Sequence, residues 1–206
     1  MKKFLIFTTA LIMTLSVGYI TLASTYGFEA TEGFQIEVSK QIDPSEDDNL
    51  VTGYYGVNKQ LQLSVGYHTD YEDIELGILY ALADNMAVTL DHYMYDEEGS
   101  DDETTFGFRY KAQISDPLAL VGVFYFTSMD PDDRIEVIGQ AEYSFSEMIT
   151  GTLGFNHYEA GDFDGTDIVA GIEIYPTEEL CAYLDYTIVD EETDDDTLEL
   201  GFCYAF

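Results

Sequence analysis

The sequence predicts an all-β fold, an antiparallel up-and-down transmembrane β-barrel of about twelve strands, with ten as the alternative count. Three observations predict it. The chain opens with a basic and then apolar leader, which marks it for export. The remainder of the chain is cut into segments of about ten residues that alternate apolar and polar. The chain closes on an unbroken alternate row, Leu198, Leu200, Phe202, Tyr204 and Phe206.

The leader carries Lys2 and Lys3, an apolar run from Phe4 to Val17, and small residues around Thr21 to Ser24. It reads as a secretory signal peptide over residues 1–23, leaving residues 24–206 as one barrel domain. No cysteine lies beside the cut, which argues against a lipid-anchored lipoprotein. Beyond the leader the longest uncharged apolar run, Pro117 to Met129, holds 13 residues, short of the roughly 20 a membrane helix needs. A mature chain that spans a membrane must therefore do so as a closed barrel, the other structure that satisfies every backbone group in lipid.

The formal net charge is -34, and loss of Lys2 and Lys3 with the leader takes it to -36. That excludes nucleic acid as a partner and favours cations. With 46% hydrophobic and 15% aromatic residues the chain is too apolar for an acidic disordered tail.

Twelve segments read as strands, separated by clusters of Gly, Asn, Asp or Pro. They are 33–42, 49–57, 60–69, 72–82, 86–95, 103–112, 117–128, 134–144, 148–158, 166–175, 180–189 and 197–206. The first and fourth place Glu37 and Glu75 on the polar face. The third sets Leu61, Leu63, Val65 and Tyr67 against Gln62, Ser64, Gly66 and His68, a period of two that a helix does not produce. The fifth brings Asp91, Tyr93 and Tyr95 to the polar face. The sixth sets Phe106, Phe108 and Tyr110 against Thr105, Gly107, Arg109 and Lys111. The eighth contributes Glu136 and Glu142, the ninth Tyr158, the tenth Glu173 and Tyr175, the eleventh Tyr183 and Asp185, and the twelfth Glu199. Alternation alone does not separate a soluble sandwich, apolar face inward, from a membrane barrel, apolar face outward.

The connections and the C-terminus make that choice. Six connections (43–48, 70–73, 96–103, 130–133, 159–167 and 190–196) hold 26 of the 41 acidic residues, whereas the intervening turns are less acidic. An even-stranded barrel gathers those six loops at one end, extracellular, and leaves both termini periplasmic. The terminal row resembles that of the outer-membrane β-barrel superfamily, whose last strand commonly ends in Phe behind alternating apolar residues. The resemblance implies that Phe202, Tyr204 and Phe206 are read by the barrel-assembly machinery of a Gram-negative-type outer membrane. At this length the chain looks like the small monomeric twelve-stranded channels of the oligogalacturonate and sialic-acid porin group, or the nucleoside channels. The oligosaccharide channels line their lumen with many Arg and Lys. This polar face is mostly acidic, which weighs against acidic sugars as the solute.

The polar face reads as the lining of a narrow passive channel for cations or small polar solutes, with Glu37, Glu75, Asp91, Tyr93, Arg109, Lys111, Glu136, Glu142, Glu173, Tyr183, Asp185 and Glu199 as its residues. Carboxylates attract cations and tyrosine rings offer stacking surfaces. The alternative is a closed barrel filled by side chains, whose acidic loops bind divalent cations, lipopolysaccharide or partners. Lumen glycines Gly66, Gly77, Gly107, Gly154, Gly171 and Gly201 speak for open space. With the fifth hairpin centred near residue 100, Asp91 faces Arg109 and Thr89 faces Lys111.

An enzymatic role is not expected. His68 is placed to face Asp73, His92 and His157 fall on the outward face, and none has a Ser two residues away as a phospholipase barrel demands. Asp162, Asp164 and Asp167, with Gly161 and Gly165, match the start of a calcium loop but lack its closing Glu. No cofactor is expected, and loosely held Ca or Mg at the acidic loops is the extent of the metal reading. Centring the last hairpin on residue 192 sets Cys181 opposite Cys203 and Asp185 opposite Glu199, and the first pair is read as a disulfide of an exported protein.

Overall fold

The computed structural model describes residue 30 and residues 33–42, 48–96, 102–129, 132–161, 163–177, 179–189 and 196–206. The leader and the acidic runs 43–47, 97–101 and 190–195 lie outside the described residues. The strands are β1 (Gly33–Ile42), β2 (Asp48–Asn58), β3 (Leu61–His68), β4 (Ile74–Ala83), β5 (Met86–Met94), β6 (Glu103–Ser115), β7 (Leu118–Ser128), β8 (Arg134–Ser146), β9 (Ile149–Ala160), β10 (Phe163–Ile174), β11 (Leu180–Ile188) and β12 (Thr197–Ala205). Every strand pairs antiparallel with its sequence neighbours, and β1 closes on β12.

Period-two alternation fixes which face looks inward. On β7 the odd residues Ala119, Val121, Val123 and Thr127 are buried, while Leu120, Phe124 and Phe126 are exposed. On β4 the outward set Leu76, Ile78, Tyr80 and Leu82 is 42–49% exposed. The buried set includes Gln35, Ser39, Thr52, Gln62, Thr89, Glu142 and Glu173. An apolar girdle outside and a polar interior invert the arrangement of a soluble sandwich, and that is the pattern of a barrel in lipid. The seam is secured at the C-terminus. The Phe206 N–H donates to the Phe34 carbonyl (2.8 Å), and the Phe206 ring lies 6.1 Å from Phe34 and 4.9 Å from Tyr204.

Two expectations are corrected. In the β5–β6 hairpin Asp91 pairs with Thr105, Thr89 with Gly107, and Ala87 with Arg109, so neither Asp91–Arg109 nor Thr89–Lys111 is a cross-strand pair. The pairing is displaced by an even number of residues from the expected one. Such a slip leaves every side chain on its own face, so the alternation cannot detect it. The second concerns the expected loop 159–167. Strands β9 and β10 run into it and turn at Gly161, whose φ of 61° is in the left-handed region that suits glycine. Asp164 and Asp167 therefore sit on a strand at an odd spacing and point to opposite faces, which removes the calcium-loop geometry; Asp162 lies outside the described residues.

Candidate functional site

The inward face encloses a cavity of about 620 Å³. Glu37, Glu75, Asp91, Tyr93, Arg109, Glu136, Glu173 and Tyr183 line it. Lys111, Glu142, Asp185 and Glu199 share the inward face by register but are not among its lining residues.

One wall is made by β1, β2, β11 and β12. Tyr183 on β11 pairs in register with Gly201 on β12. A Cβ built on Gly201 would run into the Tyr183 ring, so the ring lies over the glycine and crosses β12 toward β1. Its hydroxyl reaches Glu37 Oε1 (2.7 Å) and Glu199 Oε1 (2.9 Å), and its single proton serves the two acceptors. The Tyr54 hydroxyl donates to the other Glu37 oxygen (3.0 Å). Glu37 is thus held against the wall by a tyrosine on each oxygen. The Tyr175 hydroxyl donates to Glu173.

The facing wall is made by β6, β7 and β8. Arg109 Nη2 donates to the Tyr125 hydroxyl (3.0 Å), and its guanidinium carbon stands 5.9 Å over the Tyr125 ring. A Cβ on Gly107 would run into both the Tyr125 ring and Thr89 Oγ1. Val121, Val123 and Ile138 form a buried apolar cluster with Tyr125 packed against it. Lys111 Nζ reaches from β6 to Glu142 Oε2 on β8 (2.5 Å), spanning the intervening β7.

At the loop end Tyr95, Glu103, Arg134 and Glu136 also line the cavity. Burial, and then the neighbouring Glu103 carboxylate, push the Tyr95 hydroxyl up to about 12, so it stays a hydrogen-bond donor at the mouth.

The open space expected at the inward glycines is occupied. Gly77 receives Ser64 Oγ and Asp91, Gly171 receives Asp185 and Thr152, and Gly107 and Gly201 receive tyrosine rings. The glycines let neighbouring side chains lie close against the wall. Cys181 and Cys203 stand opposite one another, as the hairpin centring predicts, and both are buried free thiols lining the cavity. Asp185 faces Glu199 in the same register.

The histidines are spoken for. His68 Nδ1 lies 2.6 Å from Asp48 Oδ2, and its contact with Asp73 is made by the backbone, where its N–H donates to the Asp73 carbonyl (3.0 Å). His92 and His157 point outward and bond Thr104 Oγ1 (3.0 Å) and Thr166 Oγ1 (2.9 Å). Among the described residues no set of three His, Cys, Asp or Glu is placed to hold a metal ion.

Sequence reasoning passed over Tyr54, Tyr125 and Arg134. Parity assigns Tyr54 and Arg134 to the inward face once the strand registers are known. Tyr125 is harder to find, because it sits in the run Phe124-Tyr125-Phe126, where aromatics occupy both faces.

No protein-family model matches the chain, and no curated protein sequence does. Solved structures do. The KdgM porin aligns over 84% of this chain and 99% of its own with a TM-score of 0.67 at 11% identity. The NanC porin aligns over 84% and 100% with a TM-score of 0.65 at 10% identity. A KdgM porin in complex with disordered oligogalacturonate gives 0.64 at 10% identity over 84% and 99%. The chain, a closed twelve-stranded barrel, therefore shares its fold with these porins.

Proposed function

We propose that the protein is a narrow passive channel of a Gram-negative-type outer membrane, selective for cations and small polar solutes. The observation that carries this reading is the lining of the 620 Å³ cavity, where Glu37, Glu75, Asp91, Glu103, Glu136 and Glu173 face Arg109 and Arg134. Carboxylates in excess over guanidinium groups raise the local concentration of cations and repel anions. The likeness to the KdgM and NanC porins supports a channel; the acidic lining sets this lumen apart from one suited to acidic sugars. Recessed side chains over Gly77, Gly107, Gly171 and Gly201 support a lumen wide enough for small solutes. No catalytic step belongs to this reading, and the structural neighbours are porins.

In this reading the acidic loops are extracellular, where they recruit Ca or Mg and lie beside lipopolysaccharide, and both termini are periplasmic. Refolded protein in a planar bilayer under a salt gradient should show discrete conductance steps with a reversal potential on the cation side. Reversal on the anion side would overturn the selectivity. A second reading, a closed barrel, is favoured by the packed cluster of Val121, Val123 and Ile138 and by the Lys111–Glu142 bar; a barrel that folds but gives no steps would establish it.

The terminal row Phe202, Tyr204 and Phe206 serves as the signal for the barrel-assembly machinery. Phe206→Asp should lower the assembled, heat-modifiable form in outer membranes severalfold. Normal levels of that form would count against the signal.

A further inference from the structure

Among the lumen tyrosines that lie over glycines, Tyr125 and Tyr183 line the cavity and differ in what faces them. The Tyr125 ring on β7 carries the Arg109 guanidinium. Tyr183 on β11 lies over Gly201, also lines the cavity, and its hydroxyl contacts are with the carboxylates of Glu37 and Glu199. A ring laid over a glycine turns one face to the backbone and the other to the lumen. The face of a tyrosine is its electron-rich side. Negative carboxylates beside it deepen that potential, and the protein itself places a guanidinium over the equivalent ring across the lumen.

We propose that Tyr183, with Glu37, Glu199 and Tyr54 around it, forms a subsite for a weakly hydrated organic cation of guanidinium or alkylammonium type. The proposal rests on the channel reading of the lumen and names the solute class within it. A hard inorganic ion suits this wall less. Both Glu37 oxygens already accept tyrosine hydroxyls, and among the described residues no three ligating side chains converge on a metal position. A flat organic cation needs neither a stripped hydration shell nor several oxygens. It needs a ring face and carboxylate edges, and both are present. The cavity, at about 620 Å³, is of the size that small-molecule sites occupy. Gly201 is the positioning residue, because any side chain there would lift the ring off the wall.

The test uses the refolded protein in planar bilayers carrying potassium current, titrated with low-millimolar guanidinium chloride. Guanidinium should reduce the current saturably, whereas equal sodium should not. Tyr183→Leu should weaken the block roughly fivefold. Tyr183→Phe, which keeps the ring, should retain most of it, and Gly201→Val should weaken it as Tyr183→Leu does. Block of equal strength in Tyr183→Leu, or none in the unmodified channel, overturns the subsite. Cation-selective conductance without saturable block removes the subsite and leaves the channel. A barrel without conductance removes the channel, and calorimetric titration of the detergent-folded protein and its Tyr183→Leu variant with guanidinium then decides the subsite by itself: heat of binding confined to the unmodified protein supports it, and equal heats or none overturn it.

Discussion

The inner wall of β1, β2, β11 and β12 and the inner wall of β6, β7 and β8 obey one alternation rule but differ in what covers them. On the first, Glu37, Tyr54 and Tyr183 line the cavity and bond one another, and the Tyr183 hydroxyl also reaches Glu199. On the second, Val121, Val123 and Ile138 form a buried apolar cluster, with Arg109 against Tyr125 and Lys111 reaching Glu142 across β7. The period of two decides only which way a side chain points. Whether an inward side chain meets water or another side chain depends on its neighbours around the barrel. The two arcs thus differ in composition, one carrying a buried apolar cluster and the other a hydrogen-bonded set of carboxylates and tyrosines.

The strongest way to break the distinction is to place the same charge on each arc. Val121 is 3% exposed, packs with Val123 and Ile138 and is not among the cavity-lining residues, so Val121→Asp loses apolar packing and buries a carboxylate. The expected cost is about 3–5 kcal/mol, enough to remove the folded, heat-modifiable band. Leu50 on β2 lines the cavity and is half-buried. Leu50→Asp should cost less than about 1 kcal/mol, because its carboxylate stays hydrated. Urea unfolding of both variants in detergent micelles checks this, and equal shifts would abolish the two-arc description.

The strands and their faces were legible in the sequence because alternation over eight or more residues carries that information directly, as in Leu61–His68 and Glu103–Lys111. The terminal hairpin was legible down to its register, since Cys181 meets Cys203 and Asp185 meets Glu199. The β5–β6 register was not, because an even slip preserves every face. Nor was the state of the glycines. A glycine in a strand reads as missing bulk, and only the fold shows that Tyr183 fills the space over Gly201 and Asp185 the space over Gly171. Individual roles at the site depend on contacts between residues such as Tyr183 and Glu37, 146 positions apart, beyond any local pattern.

A middle-sized effect sharpens the floor of the polar arc. Cys181 and Cys203 are buried, opposite and both cavity-lining, and we propose that they form a disulfide in the exported protein by passing two electrons and two protons to the disulfide of a thiol-oxidising partner. Non-reduced, alkylated protein from native membranes should carry no label on either residue; two labelled thiols would rule the bridge out. Closing a loop of about 20 residues is worth about 3 kcal/mol in the chain-entropy account, so Cys181→Ser should lower the unfolding midpoint measurably under oxidising conditions and have little effect under reducing ones.

The smallest effect tests the electrostatic side of the comparison. Arg109 is a positive charge on the β6–β8 wall, held by the Tyr125 hydroxyl and standing over its ring. Arg109→Gln removes the charge while an amide can still bond that hydroxyl, so the wall should keep its shape. One charge a few ångström from a solute in a hydrated lumen is worth at most about 1 kcal/mol. The cation-to-anion permeability ratio should therefore rise only about two- to threefold. Arg109→Lys, which keeps the charge but not the planar fork, should leave the ratio near its original value while loosening the contact with Tyr125. Reversal potentials under a salt gradient separate these outcomes. If Arg109→Gln leaves the ratio unchanged, Arg109 serves to pack Tyr125 against Val121, Val123 and Ile138, and selectivity belongs to the carboxylates of the facing wall alone.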